Sequence, residues 1–260
     1  MNFEFVLFAI DPSTVRAAAS AGIDAILVDW ESKGKRERQQ GANTEINYHT
    51  LEDLRRTRKE TRTALICRLN RFFSGTKQEL EQAIEAGADE VLLPMVKTAT
   101  EVEQVLKWSN GRTQVGMLIE TNAAIQQAEP FSSLPLSRVF VGLNDLAIER
   151  KAANIFLPLI DGSIEKIRPF FTVPFGFGGL TLPGLGFPIP CALLVQEMIR
   201  LRCSFSFMRR SFLKDIQGRS MAIEIPLLRA WIQSFANRPS HIVMEDQQRL
   251  IQVISSLGQV

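Results

Sequence analysis

The sequence predicts a (β/α)8 barrel, and three observations lead to that fold class. Eight short apolar or β-branched runs recur along the 260 residues, with amphipathic segments between them, as in alternating strands and helices. Several runs are apolar throughout, which is expected for strands buried on both faces of a parallel sheet. Eight strand–helix units in about 250 residues also match the usual size of such a barrel. A doubly wound open sheet is the alternative.

The eight runs are the predicted strands. In chain order they cover residues 5–10, 25–30, 64–70, 90–96, 115–121, 139–142, 171–175 and 204–208.

Start and stop signals place helices between these strands. Thr50, followed three residues later by Asp53, resembles a capping box and predicts a helix at 51–60. Other helices are predicted at 15–20, 79–86, 101–108 and 190–202, and the connection 145–169 is long and less regular.

The segment after the eighth unit predicts an extension of the barrel. We expect the barrel to span residues 1–215 and helices at 223–235 and 247–257 to form a C-terminal extension over 216–260, broken at Arg238-Pro239-Ser240. Such helices pack on their own barrel or on a neighbouring subunit, so a homo-oligomer is expected.

Composition narrows the class of partner. With 30 basic and 28 acidic residues and a net charge of +2, no overall field favours nucleic acid or membrane binding, so a small-molecule partner is expected. Cys67, Cys191 and Cys203 form no CxxC pair, which is typical of a reducing compartment. Without a recognisable signal peptide or an apolar segment of membrane length, a cytoplasmic location is expected.

Charged residues end three of the predicted strands. Glu120 lies near the end of the fifth, Asp145 comes shortly after the sixth, and Arg68 lies near the end of the third. In a barrel these ends converge, and Mg²⁺ binds through one or two carboxylates while keeping open positions. Alternatively, Glu120 caps a helix that starts near Asn122, and Asp145 caps one that starts at Leu146.

Other polar residues near strand ends have weaker claims. A Schiff-base role is disfavoured for Lys97, because a polar Lys-Thr-Ala-Thr turn is not the apolar pocket such a lysine needs. By alternation, one of Arg209 and Arg210 faces the mouth. His49 is expected to be a surface residue at a helix start, and Cys67 to be buried against the helices. The glycine-rich stretch 175–186 binds phosphate or is a structural turn, and the basic loop 33–38 is a solvated face or binds an anionic tail.

Five segments together resemble one enzyme family. They are Val-Gly-Met-Leu-Ile-Glu-Thr at 115–121, Val-Gly-Leu-Asn-Asp-Leu at 141–146, Cys-Arg-Leu-Asn at 67–70, Val-Asp-Trp-Glu at 28–31, and the run from Ala-Gly-Ala-Asp to Pro-Met-Val at 86–96. The ordered set is similar to the HpcH/HpaI aldolase and citrate lyase beta-subunit family, and the resemblance extends to residue 212.

The resemblance implies a trimeric or hexameric barrel that uses Mg²⁺ or Mn²⁺. It implies cleavage or formation of a carbon–carbon bond through the enolate of a 2-oxo acid or acyl thioester. By the same resemblance, Glu120 and Asp145 are the metal ligands and Arg68 binds substrate. The backbone at Gly142, Leu143 and Asn144 then receives a substrate carboxylate.

One departure from the family keeps the reaction open. Pyruvate aldolases of the family carry a histidine soon after the second strand, whereas this chain has Asp29-Trp30-Glu31-Ser32. The acidic pair resembles that of the acyl-CoA lyases of the family. This resemblance implies that Asp29 or Glu31 orients an arginine or the metal's water shell. The alternatives are therefore a 2-oxo acid aldolase, a malyl- or citramalyl-type CoA lyase, and an inactive barrel that binds an anionic metabolite or a partner protein.

Overall fold

Eight parallel strands form the centre of the molecule. The structure is a computed structural model that describes residues 2–34 and 47–257. The strands are hydrogen-bonded in the order β7-β6-β5-β4-β3-β2-β1-β8. They are β1 Glu4–Phe8, β2 Ala25–Asp29, β3 Ala64–Arg68, β4 Glu90–Leu93, β5 Gln114–Ile119, β6 Val139–Val141, β7 Phe175–Phe177 and β8 Phe205–Phe207.

Contacts between β7 and β8 nearly close the barrel. The Ser204 N–H donates to the Phe175 carbonyl at 3.0 Å, and Leu180 and Met208 form a parallel bridge beyond the strand ends. The predicted (β/α)8 fold is confirmed.

Alternation along each strand separates two apolar layers. Inward residues such as Val6, Leu27, Ile66 and Leu118 form the barrel interior. Their neighbours pack against the helices, and Cys67 is buried in that outer layer. This is the position predicted for it, and burial raises the pKa of its thiol, which makes the thiol unreactive.

The helices surround the sheet. They are α1 Pro12–Ala21, α2 Leu51–Glu60, α3 Thr76–Glu85, α4 Ala99–Ser109, α5 Asn122–Gln126, α6 Ala128–Ser132, α7 Leu143–Glu149, α8 Ser163–Ile167, α9 Cys191–Arg200, α10 Phe212–Asp215, α11 Met221–Ser234 and α12 Ser240–Ser256. The capping box of Thr50 and Asp53 on α2 is present as predicted.

Some predicted boundaries were wrong. The seventh strand is not at 171–175 but at Phe175–Phe177, because Pro174 lacks the N–H that a ladder position needs. Helix α1 begins at Pro12, three residues before the predicted start, and is capped by Asp11. Helix α12 begins at Ser240, seven residues before the predicted start.

The last two helices contact the barrel of their own chain. Arg229 of α11 donates to the Phe3 carbonyl at 2.7 Å and to the Gly22 carbonyl at 2.8 Å. The Ile254 carbonyl of α12 accepts from Asn154 Nδ2 at 2.8 Å. In the part of the chain that the structure describes, no helix is both long and apolar enough to span a membrane.

Candidate functional site

The candidate site lies at the carboxyl ends of β2, β3, β5 and β6. Asp29 and Arg68 are the last residues of β2 and β3, and Glu120 directly follows β5. Asp145 lies in the first turn of α7, just beyond β6. All four are buried. Strand alternation aims the first three inward, so the barrel collects charged groups that are distant in sequence.

Asp29 and Arg68 form a two-point ion pair. Arg68 Nε donates to Asp29 Oδ1 at 2.8 Å, and Nη2 donates to Oδ2 at 2.7 Å. The two residues are register partners on adjacent strands, so their side chains leave the sheet on the same face. A planar guanidinium fits a carboxylate in this bidentate manner.

Glu31 adds a second carboxylate beside Arg68. Its Oε2 lies 3.5 Å from Arg68 Nη1, and its backbone N–H donates to Asp29 Oδ1 at 3.1 Å. Burial opposes the charge on Arg68, but Asp29 and Glu31 outweigh it and raise the pKa of Arg68 above its usual range. Arg68 is therefore a permanent cation.

Asn47 and His49 also form hydrogen bonds with Asp29, and the sequence had not indicated these contacts. Asn47 Nδ2 donates to Asp29 Oδ2 at 3.2 Å, and the Asp29 N–H donates to His49 Nδ1 at 3.0 Å. The prediction that His49 is a surface residue was wrong, since it is half-buried against the end of β2. Its place just before the helix cap at Thr50 was the available signal.

Glu120 is held by two backbone features. The Met95 N–H donates to its Oε2 at 2.9 Å, and Met95 itself has a left-handed φ of 54°, which non-glycine residues rarely adopt. On its other side, a Cβ atom added to Gly142 would lie 2.4 Å from Glu120 Oε1. The missing side chain of Gly142 therefore leaves the space that this carboxylate occupies.

The pKa of Glu120 is raised from 4.5 to about 8. Burial is the main cause, and the charges of Asp145 and Glu31 add to it. The positive charge of Arg68 lowers the pKa of Glu120 but does not offset these causes, so negative charge is in excess at this carboxylate. Protonation or a bound cation neutralises such an excess.

The capping alternative was wrong for both carboxylates. Thr121 caps α5, because its hydroxyl accepts from the Ala124 N–H at 2.9 Å. Helix α7 starts at Leu143, before Asp145, and has no side-chain cap. Neither carboxylate therefore caps the start of a helix.

Asn144 adds an unused donor. Its Nδ2 is buried and has no hydrogen-bond partner among residues 2–34 and 47–257. A buried donor without a partner is unfavourable, so Asn144 is prepared to bind an acceptor. It lies beside Gly142 and Leu143, the other residues expected to contact substrate.

Other candidates lie outside this grouping. Lys97 is exposed, Arg209 donates to the Phe187 carbonyl at 3.1 Å, and Arg210 is exposed. Asn70 accepts from the Ser32 and Lys33 backbones at 2.9 and 2.8 Å.

The two loop predictions have different outcomes. In the glycine-rich stretch, Leu180 and Leu182 are buried and Leu185 is exposed, which fits an ordered turn with apolar anchors. Phosphate binding there stays a prediction. The basic loop 33–38 lies outside the described residues from Lys35 onward, and Lys33 Nζ lies 3.5 Å from Glu79 Oε1.

The contact between Gly142 and Glu120 predicts a coupled effect on stability. Gly142→Ala places a methyl group against the carboxylate and is expected to lower the free energy of unfolding by about 1–3 kcal/mol. In a Glu120→Ala background the same change should have less than half that effect, because the obstructing group is gone. Urea denaturation of the four proteins measures the coupling, and equal costs in both backgrounds would contradict the packing described.

Comparisons with known proteins agree with this fold. Residues 5–154 match the HpcH/HpaI aldolase/citrate lyase family, whereas no curated protein matches the sequence. Among solved structures, an HpcH/HpaI aldolase/citrate lyase family protein from Burkholderia cenocepacia J2315 is 14% identical, with a TM-score of 0.63 over 90% of this chain and 93% of that one.

Two further structures share the architecture. Citrate synthase SbnG is 15% identical, with a TM-score of 0.61 over 84% of this chain and 91% of its own. Macrophomate synthase is 14% identical, with a TM-score of 0.60 over 91% and 86%. Because the identities are this low, the structural matches establish the fold alone. The match to the family, in contrast, covers more than half of the sequence. The chain therefore belongs to the HpcH/HpaI aldolase/citrate lyase family, whose members indicate a function of the aldolase or lyase type.

Proposed function

We propose that this protein is a divalent-metal-dependent aldolase or lyase that forms or cleaves a carbon–carbon bond through the enolate of a small 2-oxo acid. The observation that carries the proposal is the buried grouping of Arg68 with Glu31, Glu120 and Asp145 at the carboxyl end of the barrel. Active sites of this fold lie at that end.

Glu120 and Asp145 fit a Mg²⁺ or Mn²⁺ site by the chemistry of their donors. Hard cations prefer carboxylate oxygens, and Mg²⁺ commonly takes one or two from the protein while water and substrate supply the rest. Within the described ranges, no group of three or more His, Cys, Asp or Glu side chains is arranged to hold a metal. When bound, the cation supplies Lewis-acid stabilisation of negative charge that develops on substrate oxygens.

Arg68 binds the substrate carboxylate or the enolate oxygen in this proposal. Asp29 fixes the guanidinium through two hydrogen bonds. Glu31 contacts the guanidinium at Nη1. Asn144 Nδ2 and the backbone at Gly142 and Leu143 receive a second substrate oxygen. Because these groups are buried and positioned in advance, their charges act on the substrate with little screening by water.

Metal binding is expected to depend on pH through Glu120. Since this carboxyl has a pKa of about 8 and must lose its proton to bind a cation, Mn²⁺ affinity should rise about tenfold per unit from pH 6 to 8 and level off above that. The folding stability of the metal-free protein should change with pH in the opposite direction. The raised pKa of Glu120 stabilises the folded state at low pH, and this contribution is lost as pH rises from 4.5 to about 8.

Calorimetric Mn²⁺ titrations between pH 6 and 9 measure this dependence. Glu129→Gln, which removes an exposed carboxylate from α6, should keep the same slope. An affinity that is constant between pH 6 and 8 would count against Glu120 as a ligand.

A thioester lyase is the second candidate, favoured by the buried Asp29 and Glu31 beside Arg68 and by a sequence without histidine at 29–36. One screen separates the alternatives. Oxaloacetate decarboxylation and aldol addition of pyruvate to aldehydes test the first candidate, and malyl- and citramalyl-CoA cleavage tests the second. If Mg²⁺ and Mn²⁺ stimulate none of these reactions, the inactive barrel becomes the better description.

Assembly into a trimer or hexamer and a cytoplasmic location stay predictions. Ile223 and Leu227 on α11 are 61% and 58% exposed, and such apolar exposure supports burial against another copy.

A further inference from the structure

The barrel mouth has an apolar half that the proposed chemistry does not use. Phe8, Phe140 and Phe207 reach the interior from β1, β6 and β8. The Phe140 and Phe207 rings stack with centroids 3.8 Å apart, and Phe8 meets Phe207 edge-on at 5.5 Å. These aromatic rings form a continuous apolar surface.

Strand β7 leaves room above this surface. Its phenylalanines face the helices, so Gly176 and Gly178 occupy its inward positions. A Cβ atom at Gly176 would lie 2.0 Å from the Phe205 carbonyl oxygen, so that level is filled. At Gly178, among the described residues, an added Cβ would meet Phe140 Cζ alone, at 3.4 Å. Among residues 2–34 and 47–257 there is therefore room for a side chain at Gly178.

The open space adjoins the charged half. The Arg68 guanidinium lies 5.5 Å from the centre of the Phe8 ring. On the other side, the pairing of Val141 with Phe177 puts Gly142 and Gly178 at the same level. A substituent on a ligand bound at Arg68 is therefore within reach of the Phe8 ring.

We propose that Phe8, Phe140, Phe207 and Gly178 form a subsite for an apolar substituent, so that the preferred substrates are 2-oxo acids with branched aliphatic or aromatic side chains. This inference rests on the proposed function for the binding of the oxo acid group. Phe8 is half-buried and is the ring nearest the mouth, whereas Phe140 and Phe207, 6% and 5% exposed, are buried beneath it. Burial of the substituent there removes apolar surface from water.

Binding of a graded series tests the subsite without requiring turnover. Calorimetry with saturating Mg²⁺ compares pyruvate, 2-oxobutanoate, 2-oxopentanoate and 4-methyl-2-oxopentanoate. Affinity should rise about fourfold for each added methylene. Equal or weaker binding of the longer acids, with pyruvate still bound, would overturn the subsite and leave the proposed function standing. If none of the acids binds, both are overturned.

Variants locate the effect. Gly178→Val fills the open space on a backbone that accepts side chains, and the ratio of affinities for 4-methyl-2-oxopentanoate and pyruvate should fall toward one. Phe8→Leu should reduce the same ratio at least twofold. Phe170→Leu changes a 39% exposed ring that precedes β7 and should leave the ratio unchanged. Circular dichroism confirms folding, and an unchanged ratio in folded Gly178→Val would overturn the assignment.

Discussion

Replacement of Glu120 by glutamine is expected to lower the metal-stimulated activity at least about 100-fold and to weaken Mn²⁺ binding at least tenfold. Loss of a group that merely orients a metal ligand costs about 10–100-fold, and Glu120 is proposed to be a ligand itself. Glutamine keeps an acceptor for the Met95 N–H and fills the same space beside Gly142. Calorimetry with Mn²⁺ and the oxaloacetate assay measure the two effects.

The stability of Glu120→Gln distinguishes a ligand from a structural residue. Because the raised pKa of Glu120 makes its ionisation unfavourable in the folded state, the metal-free variant should be at least as stable as the parent at pH 8. Glu129→Gln should change neither stability nor activity. Retained Mn²⁺ affinity in Glu120→Gln would remove this residue from the metal site, whereas a large loss of stability would indicate a structural role.

Replacement of Asp29 by alanine is expected to lower the free energy of unfolding by about 3–5 kcal/mol, because it leaves the Arg68 guanidinium buried without its main partner. The same change removes the acceptor of two further hydrogen bonds, from the Glu31 N–H and from Asn47 Nδ2. Activity should fall as well, since Arg68 loses the contact that fixes its orientation. Urea denaturation at pH 7 measures the stability change.

The chain offers a matched control for this ion pair. Arg112 Nη1 and Nη2 donate to the two carboxylate oxygens of Glu81 at 2.6 and 2.7 Å. This pair is also bidentate, although it uses both Nη atoms where Arg68 uses Nε and Nη2, and it lies at the surface. Glu81→Ala should therefore lower stability by no more than about 1 kcal/mol. If both alanine variants cost the same, burial is not what makes the Asp29–Arg68 pair strong.

The sequence predicted the parts of the fold that depend on local signals. Strands with apolar runs and helices with caps, such as α2 after Thr50, agree closely with the structure. Strand β7 was misplaced because it has three residues, contains a glycine and follows Pro174, so its pattern is short and interrupted.

The sequence predicted the charged residues of the site but not the residues that position them. Glu120, Asp145 and Arg68 were visible because each ends an apolar run. Contacts of Asp29 with Asn47 and His49 link residues 18–20 positions apart that carry no pattern. The capping alternative for Glu120 was also indistinguishable by sequence, because Thr121 stands next to it and both residue types accept hydrogen bonds from a helix start.

The register between β2 and β3 has a consequence for binding entropy. Asp29 and Arg68 are held opposite each other by the hydrogen bonds of the sheet, so the guanidinium is oriented before a ligand arrives. Little side-chain freedom of Arg68 therefore remains to be lost on association. A carboxylate bound at Arg68 should therefore meet a small entropic penalty from the protein, and its affinity should depend mainly on direct contact and desolvation.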